Sequence, residues 1–112
     1  MSELTRLRRL CDLADMVYQN AQSQLFQERQ KEQALRSALD NITTAHKSRL
    51  SKQDIDTAFL GGADARWQTW IEQRQTLINS ELAMCRARQL NLQQNLRRAF
   101  GRHQVLLSLL DE

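Results

Sequence analysis

The amino-acid sequence predicts an all-α fold in which two long helices form an antiparallel coiled-coil hairpin. Three observations support this. The apolar residues follow two heptad series, proline is absent, and the only adjacent glycines of the 3 present, Gly61-Gly62, separate the two series. A 3-4 spacing sustained over many heptads indicates helices that wind around each other along one narrow stripe. Because a β-sheet needs turn residues that this sequence lacks, strands are excluded.

The first helix is predicted over residues 3–50, with Ser2 as its N-cap and Glu3 favourably placed in the first turn. Its seam, meaning the stripe that faces the other helix, has two rows. The first row is Leu4, Cys11, Tyr18, Leu25, Glu32, Leu39 and His46, and the second is Leu7, Ala14, Ala21, Glu28, Leu35, Ile42 and Arg49.

A connection is predicted over residues 51–64, because glycine at Gly61-Gly62 tolerates the left-handed backbone that ends a helix. Asp64 is the predicted N-cap of a second helix, 65–110. The seam rows of this helix are Ile71, Ile78, Cys85, Leu92, Ala99 and Leu106, and Gln75, Leu82, Gln89, Leu96, His103 and Leu110. Residues 1–112 are thus expected to form a single helical-hairpin domain.

A short connection makes the two helices antiparallel neighbours, which sets an expected register. Tyr18 should then face Leu96, and Cys11 should face His103. Apolar residues would meet apolar residues at both ends of the seam.

The middle of the seam is polar, because Glu28 and Glu32 occupy seam positions. We interpret both as long side chains that reach the edge of the seam and pair with Arg86 or Arg88. The alternatives are a polar lock on the register or a soft segment that rearranges when a partner binds.

Nothing in the sequence predicts an enzyme, a cofactor or a metal site. The glycine pair lacks the lysine of a phosphate-binding loop, and neither Cys-x-x-Cys nor His-Glu-x-x-His occurs. Cys11 and His103 would supply only two ligands, so core filling is the better interpretation. His46 is expected to make a polar contact near Trp67 or Gln68 rather than to act as a base.

The location expected from the sequence is the cytoplasm, without membrane insertion. The first residues are charged and show no secretory signal. The longest apolar run near the C-terminus, Val105–Leu110, is far too short to cross a bilayer. Both cysteines lie at seam positions, which suits a reducing compartment, and they are not expected to form a disulfide with each other.

Two groups of residues are candidates for partner binding. Trp67 and Trp70 lie one turn apart beside the glycine pair, and they either pack over the hairpin tip or anchor a partner. Arginine supplies 13 of the 16 basic residues in a chain of net charge +3. Antiparallel pairing would gather six of them at the end that carries both termini, as a solvated face or as a binding surface: Arg6, Arg8, Arg9, Arg97, Arg98 and Arg102.

The second helix runs from Arg66-Trp67-Gln68 through Glu81-Leu82 to Asn95-Leu96-Arg97-Arg98-Ala99-Phe100. The sequence of this helix resembles that of the FliJ/YscO family. The chain as a whole also resembles the family, because over nearly its whole length it is a small, basic, glutamine-rich helical hairpin. Members of that family are stalk proteins of flagellar and type III secretion export machinery. The resemblance implies a monomeric, non-enzymatic stalk whose paired basic termini bind a hexameric export ATPase. It also implies contact with an export-gate protein or secretion chaperones, at the export apparatus beside the inner membrane.

Two other function classes remain open beside the stalk. One is a structural coiled-coil adaptor or chaperone whose seam recruits another helix. The other is a nucleic-acid binder, which is disfavoured because Phe100 is the only aromatic residue interleaved with the arginines between Arg86 and Arg102. No nucleic-acid partner is therefore expected.

Overall fold

The computed structural model describes residues 2–51 and 57–112, with the side chains of 2–51, 62 and 65–112. Over these residues the chain forms two helices, α1 (Glu3–Ser51) and α2 (Thr57–Asp111). The predicted all-α helical hairpin is thereby confirmed. In the contacts between the helices, the partner number on α2 falls as the number on α1 rises: Asp15 lies beside His103, and Glu28 bonds Arg88. The pairing is therefore antiparallel.

The start of α1 matches the predicted cap. The backbone N–H of Thr5 donates to Ser2 Oγ at 3.1 Å, and the backbone N–H of Arg6 donates to the Ser2 carbonyl at 3.2 Å. The first bond satisfies one of the backbone donors that the first turn of a helix leaves without intrahelical partners, and the second is the first i→i−4 bond of the helix. Ser2 is thus the N-cap.

The contacts divide the chain into two compact units: unit 1, residues 1–30 and 86–112, and unit 2, residues 31–85. In unit 1 the predicted seam is the buried stripe. Its most buried apolar residues are Cys11, Ala21, Leu25 and Ala99. Of the predicted seam positions of this unit, only Leu4, in the first turn of α1, is classed as exposed, at 49%. Small side chains at most of these buried positions allow the two helix backbones to approach closely.

In unit 2 the predicted seam is again the buried stripe, and it holds larger side chains. Ile71, Ile78, Leu82 and Cys85 of α2 are buried, and Cys85 has no exposed surface. Burying an isoleucine or leucine side chain fully contributes roughly 1.5–3 kcal/mol. The seam of unit 2 thus gains more from apolar burial per buried position than that of unit 1.

The predicted connection, 51–64, was too long. Helix α2 begins at Thr57, so Gly61-Gly62 and Asp64 lie within it, and the predicted start at residue 65 was wrong. Each glycine costs a helix only about 1 kcal/mol relative to alanine, and helix propagation is cooperative. Without a proline, two glycines do not end the helix. Residues 52–56 of the predicted connection lie outside the described part of the chain.

The register in unit 1 differs from the predicted one. The ring centroid of Tyr18 lies 5.6 Å from that of Phe100 and 6.1 Å from that of His103. His103 Nε2 lies 4.0 Å from Asp15 Oδ1. His103 was expected opposite Cys11, so its contacts on α1 are displaced by about one helical turn or more. After such a slip, seam residues of one helix still face seam residues of the other. The heptad pattern therefore did not distinguish the two registers.

Candidate partner-binding surfaces

A groove on one side of unit 1 brings two of the predicted arginines together. The groove has a volume of about 270 Å³, and its walls include Val17, Ala21 and Gln24 of α1 and Asn95, Arg98 and Arg102 of α2. We call it the arginine groove. Helix periodicity explains why Arg98 and Arg102 lie on the same side, because side chains four residues apart on α2 point in nearly the same direction.

The six predicted arginines are all exposed, but they do not share one face. Arg6 precedes Leu13 by one heptad and lies on the side of the arginine groove. Arg8 precedes Asp15 by one heptad, and Asp15 faces His103 on the other side of the seam. By the same periodicity, Arg9 and Arg97 lie away from the groove. The predicted single basic cluster is therefore resolved into three groove-side arginines, Arg6, Arg98 and Arg102, and three others.

None of the six arginine side chains forms an ion pair or a hydrogen bond with another described residue. One of the nearby acids, Asp15, has other partners. Asp15 accepts a hydrogen bond of 3.0 Å from Gln19 and lies beside His103. Guanidinium groups without a partner in the described part of the chain keep their five donors available for carboxylate or phosphate groups of another molecule.

In unit 2 the two tryptophans have different surroundings. The ring of Trp67 stacks on that of His46, with centroids 5.4 Å apart and planes at 25°. The guanidinium carbon of Arg49 lies 4.4 Å from the centroid of the Trp67 ring, at cation–π distance. Trp70 is 53% exposed. Trp67 is therefore a packing residue, and Trp70 alone keeps the surface that an anchor for a partner needs.

His46 lies beside Trp67, as predicted, but the contact is a ring stack and not the polar contact that was expected. Its Nδ1 atom is buried and has no hydrogen-bond partner among the described residues. A base also needs neighbouring groups that orient it, and here the partner is an indole ring. The predicted packing of the tryptophans against Phe59 and Leu60 concerns side chains outside those that the structure describes.

Sequence reasoning identified one polar contact at the seam of unit 1 and misjudged its burial. Arg88 Nε donates to Glu28 Oε1 at 2.6 Å, so Glu28 pairs with one of the two predicted arginines. Its side chain does not reach the seam edge, however, because it is 7% exposed while Arg88 is 53% exposed. Glu32 accepts a bond of 3.2 Å from Arg36 on its own helix.

Glu28 and Arg88 line a second recess of unit 1, of about 310 Å³, whose walls also include Gln24, Gln27 and Asn91. Apart from Leu92 every side chain that lines the recess is polar, and Arg88 lies over the buried carboxylate. The recess is shallow and amide-rich. It offers hydrogen-bonding groups to a partner surface.

A second set of surface residues was missed. Among the described residues of unit 1, ten large apolar side chains lie outside the seam and are exposed. Five of them fall at the heptad positions of the arginine groove: Leu10, Leu13, Val17, Val105 and Leu109. The signal was present in the sequence, because Leu10 and Val17 are one heptad apart and Leu13 falls between them at helical spacing. It was obscured by the stronger apolar period of the seam.

Comparison of the chain with protein-family models, with curated proteins and with solved structures finds no match. Within residues 2–51 and 57–112, no three His, Cys, Asp or Glu side chains are placed to hold a metal ion. Neither helix, over its described residues, contains a stretch long and apolar enough to cross a membrane.

Proposed function

We propose that this protein is a non-enzymatic accessory protein of a type III secretion export apparatus, a stalk that binds the hexameric export ATPase through the arginine-bearing unit 1. The observation that carries the proposal is the set of six exposed arginines that have no ion-pair or hydrogen-bond partner among the described residues. Acidic loops on the ATPase would supply the carboxylates, and the arginines would steer and orient the encounter. The resemblance of the second helix to the FliJ/YscO family agrees with this function.

On this proposal the protein works in the cytoplasm, at the export apparatus beside the inner membrane. An export-gate protein or secretion chaperones would be its further partners, and the flagellar export apparatus is the related alternative. Unit 2, with the exposed Trp70, would remain available to such a second partner while unit 1 engages the ATPase.

The test is co-sedimentation of the purified protein with the purified export ATPase, together with a secretion assay in cells. Replacement of all six arginines by glutamate is expected to abolish both binding and secretion. The matched control reverses Arg29 and Arg74, which are exposed and lie outside the six. Binding and secretion that survive the sixfold reversal would overturn the proposal.

A second candidate function is a structural adaptor or chaperone that recruits another helical protein. The exposed apolar side chains of unit 1 favour it, because a surface of this kind suits helix docking. Stoichiometry separates the two functions. A stalk should be a monomer that binds one ATPase hexamer, whereas an adaptor should dimerise through its seam. Light scattering of the protein alone, and then with each partner, distinguishes them.

A further inference from the structure

Five exposed apolar side chains of unit 1 continue the face that contains the arginine groove. We call them the apolar patch: Leu10, Leu13, Val17, Val105 and Leu109, each between 46% and 60% exposed. Single apolar residues on a surface are ordinary, but a contiguous set marks an interaction site. The five side chains are notable because they lie on one face of unit 1.

Heptad spacing puts the apolar patch on the groove side of both helices. Leu10 and Leu13 each lie one heptad before a residue that lines the arginine groove on α1, namely Val17 and Asn20. On α2, Val105 and Leu109 each lie one heptad after a groove-lining arginine. Positions one heptad apart in a coiled coil occupy equivalent places on its surface. The arginine groove and the apolar patch therefore lie next to each other on the same face of unit 1.

The charge on this face has one predominant sign. Arg98 and Arg102 line the groove, and Arg6 lies beside Leu13 by heptad spacing. The same flanking positions of unit 1 carry two acids, both at the chain ends: Glu3 in the first turn of α1, and Glu112, two heptads after Arg98. The buried Glu28 at the seam forms an ion pair with Arg88. An exposed apolar strip bordered by arginines is complementary to an apolar strip bordered by carboxylates.

We propose that the apolar patch and the arginine groove form one docking surface for an amphipathic helix of a partner protein, whose apolar stripe is flanked by acidic residues. The helix would lie against both helices of unit 1 and bury its i, i+3, i+4 and i+7 side chains on the patch. Its carboxylates would receive bidentate hydrogen bonds from the groove arginines. This inference rests on the proposed function only in taking unit 1 to be a protein-binding unit.

The experiment measures binding of a fluorescent synthetic helix to the purified full-length protein by anisotropy. The probe is an amphipathic peptide about three heptads long, with leucine at its two seam positions and glutamate flanking them. A second peptide has lysine in place of glutamate, and a third is a scrambled version of the first. The glutamate peptide is expected to bind saturably with one-to-one stoichiometry, and at least about tenfold more tightly than either comparison peptide. Added salt should weaken its binding.

Two variants test the two parts of the surface. Leu13→Gln with Val105→Gln alters the apolar patch, and Arg98→Glu with Arg102→Glu reverses the charge of the groove. Each is expected to weaken binding of the glutamate peptide by about tenfold or more, because each removes apolar burial or charge pairing. The matched control, Leu90→Gln with Arg29→Glu, alters exposed residues of unit 1 away from this face and should change binding less than about twofold. All altered side chains are exposed, and circular dichroism checks that each variant remains folded.

Several outcomes would overturn the inference. One is equal binding of the lysine or scrambled peptide, and another is unchanged binding by both surface variants. Sedimentation that shows a dimer of the protein, lost in the patch variant, would assign the surface to a second copy of this chain. Binding to phosphatidylserine vesicles without binding to the peptide would assign it to a lipid surface. Peptide binding that persists when the export ATPase fails to bind would contradict the proposed function alone.

Discussion

The Glu28 carboxylate accepts a 2.6 Å hydrogen bond from Arg88 Nε within unit 1, between a side chain that is 7% exposed and one that is 53% exposed. A buried carboxylate depends on its partner, because the loss of its charge-assisted hydrogen bond is not made good by water. A half-exposed arginine, by contrast, loses little on leaving. The pair is therefore asymmetric, and removing either member should have a different effect from removing both.

We expect Arg88→Met to lower the free energy of unfolding by about 1–3 kcal/mol, since it leaves the Glu28 charge buried. The double variant Arg88→Met with Glu28→Leu should recover most of that loss, because an apolar pair carries no desolvation penalty. Urea denaturation followed by far-UV circular dichroism measures both. The control is Arg36→Met, whose partner Glu32 lies four residues before it on the same helix and whose effect should be about 0.3–0.5 kcal/mol. An Arg88→Met effect no larger than this would contradict the prediction.

The stability of the variant Gly62→Ala tests whether the backbone at this residue is helical or belongs to a connection between the helices. Gly62 lies within α2 and has no left-handed backbone, and among the described side chains a Cβ atom there would meet the end of Arg66 at 3.9 Å. Gly62→Ala should therefore raise the free energy of unfolding by roughly 0.5–1 kcal/mol. Gly101→Ala is the matched control in α2, with nothing within 4 Å of its Cβ position, and should give a similar gain. Destabilisation by Gly62→Ala alone would mean that the backbone at this residue is not helical.

The two tryptophans should respond differently to substitution. Trp67→Leu removes the stack on His46 and the contact with Arg49, so we expect it to cost about 1–2 kcal/mol of stability. Trp70→Leu should cost less than about 0.5 kcal/mol, because the side chain is half exposed. Thermal unfolding measures both. In addition, the fluorescence of the Trp67→Leu variant, which retains Trp70, should be quenched by acrylamide more strongly than that of Trp70→Leu. Equal quenching would contradict the assignment of Trp67 as the packing residue.

Both cysteines are free and buried, Cys85 with no exposed surface and Cys11 at 5%. A thiol reagent can reach them only when the helices separate locally, so labelling should be at least about a hundredfold slower than in urea-unfolded protein. Mass spectrometry after timed labelling gives the rate for each site. Ser23→Cys, at an exposed position of α1, supplies a fast-reacting internal control. Labelling of Cys85 as fast as that of the cysteine at position 23 would show that the seam is open there.

The seam residues were predicted from the sequence and the ends of the connection were not. Heptad position is a local property, because the direction of each side chain follows from 3.6 residues per turn and needs no knowledge of the other helix. Ile71, Ile78 and Leu82 were assigned to the seam on this basis, and all three are buried. The start of α2 depends instead on a balance between the cost of Gly61-Gly62 and cooperative helix extension, and that balance was misjudged.

The candidate site, too, was predicted from the sequence only in part. The exposed arginines were predicted from composition and spacing, but their separation into a groove-side set and an outer set needs the position of α2 beside α1. The sequence by itself determined the helical class, the seam and the Ser2 cap. Only the tertiary structure decided that His103 lies beside Asp15 and that Glu28 is buried instead of reaching the edge of the seam. The reason is that a slip of one helical turn keeps the seam positions matched, so the axial offset is set by the sum of many small contacts between the helices.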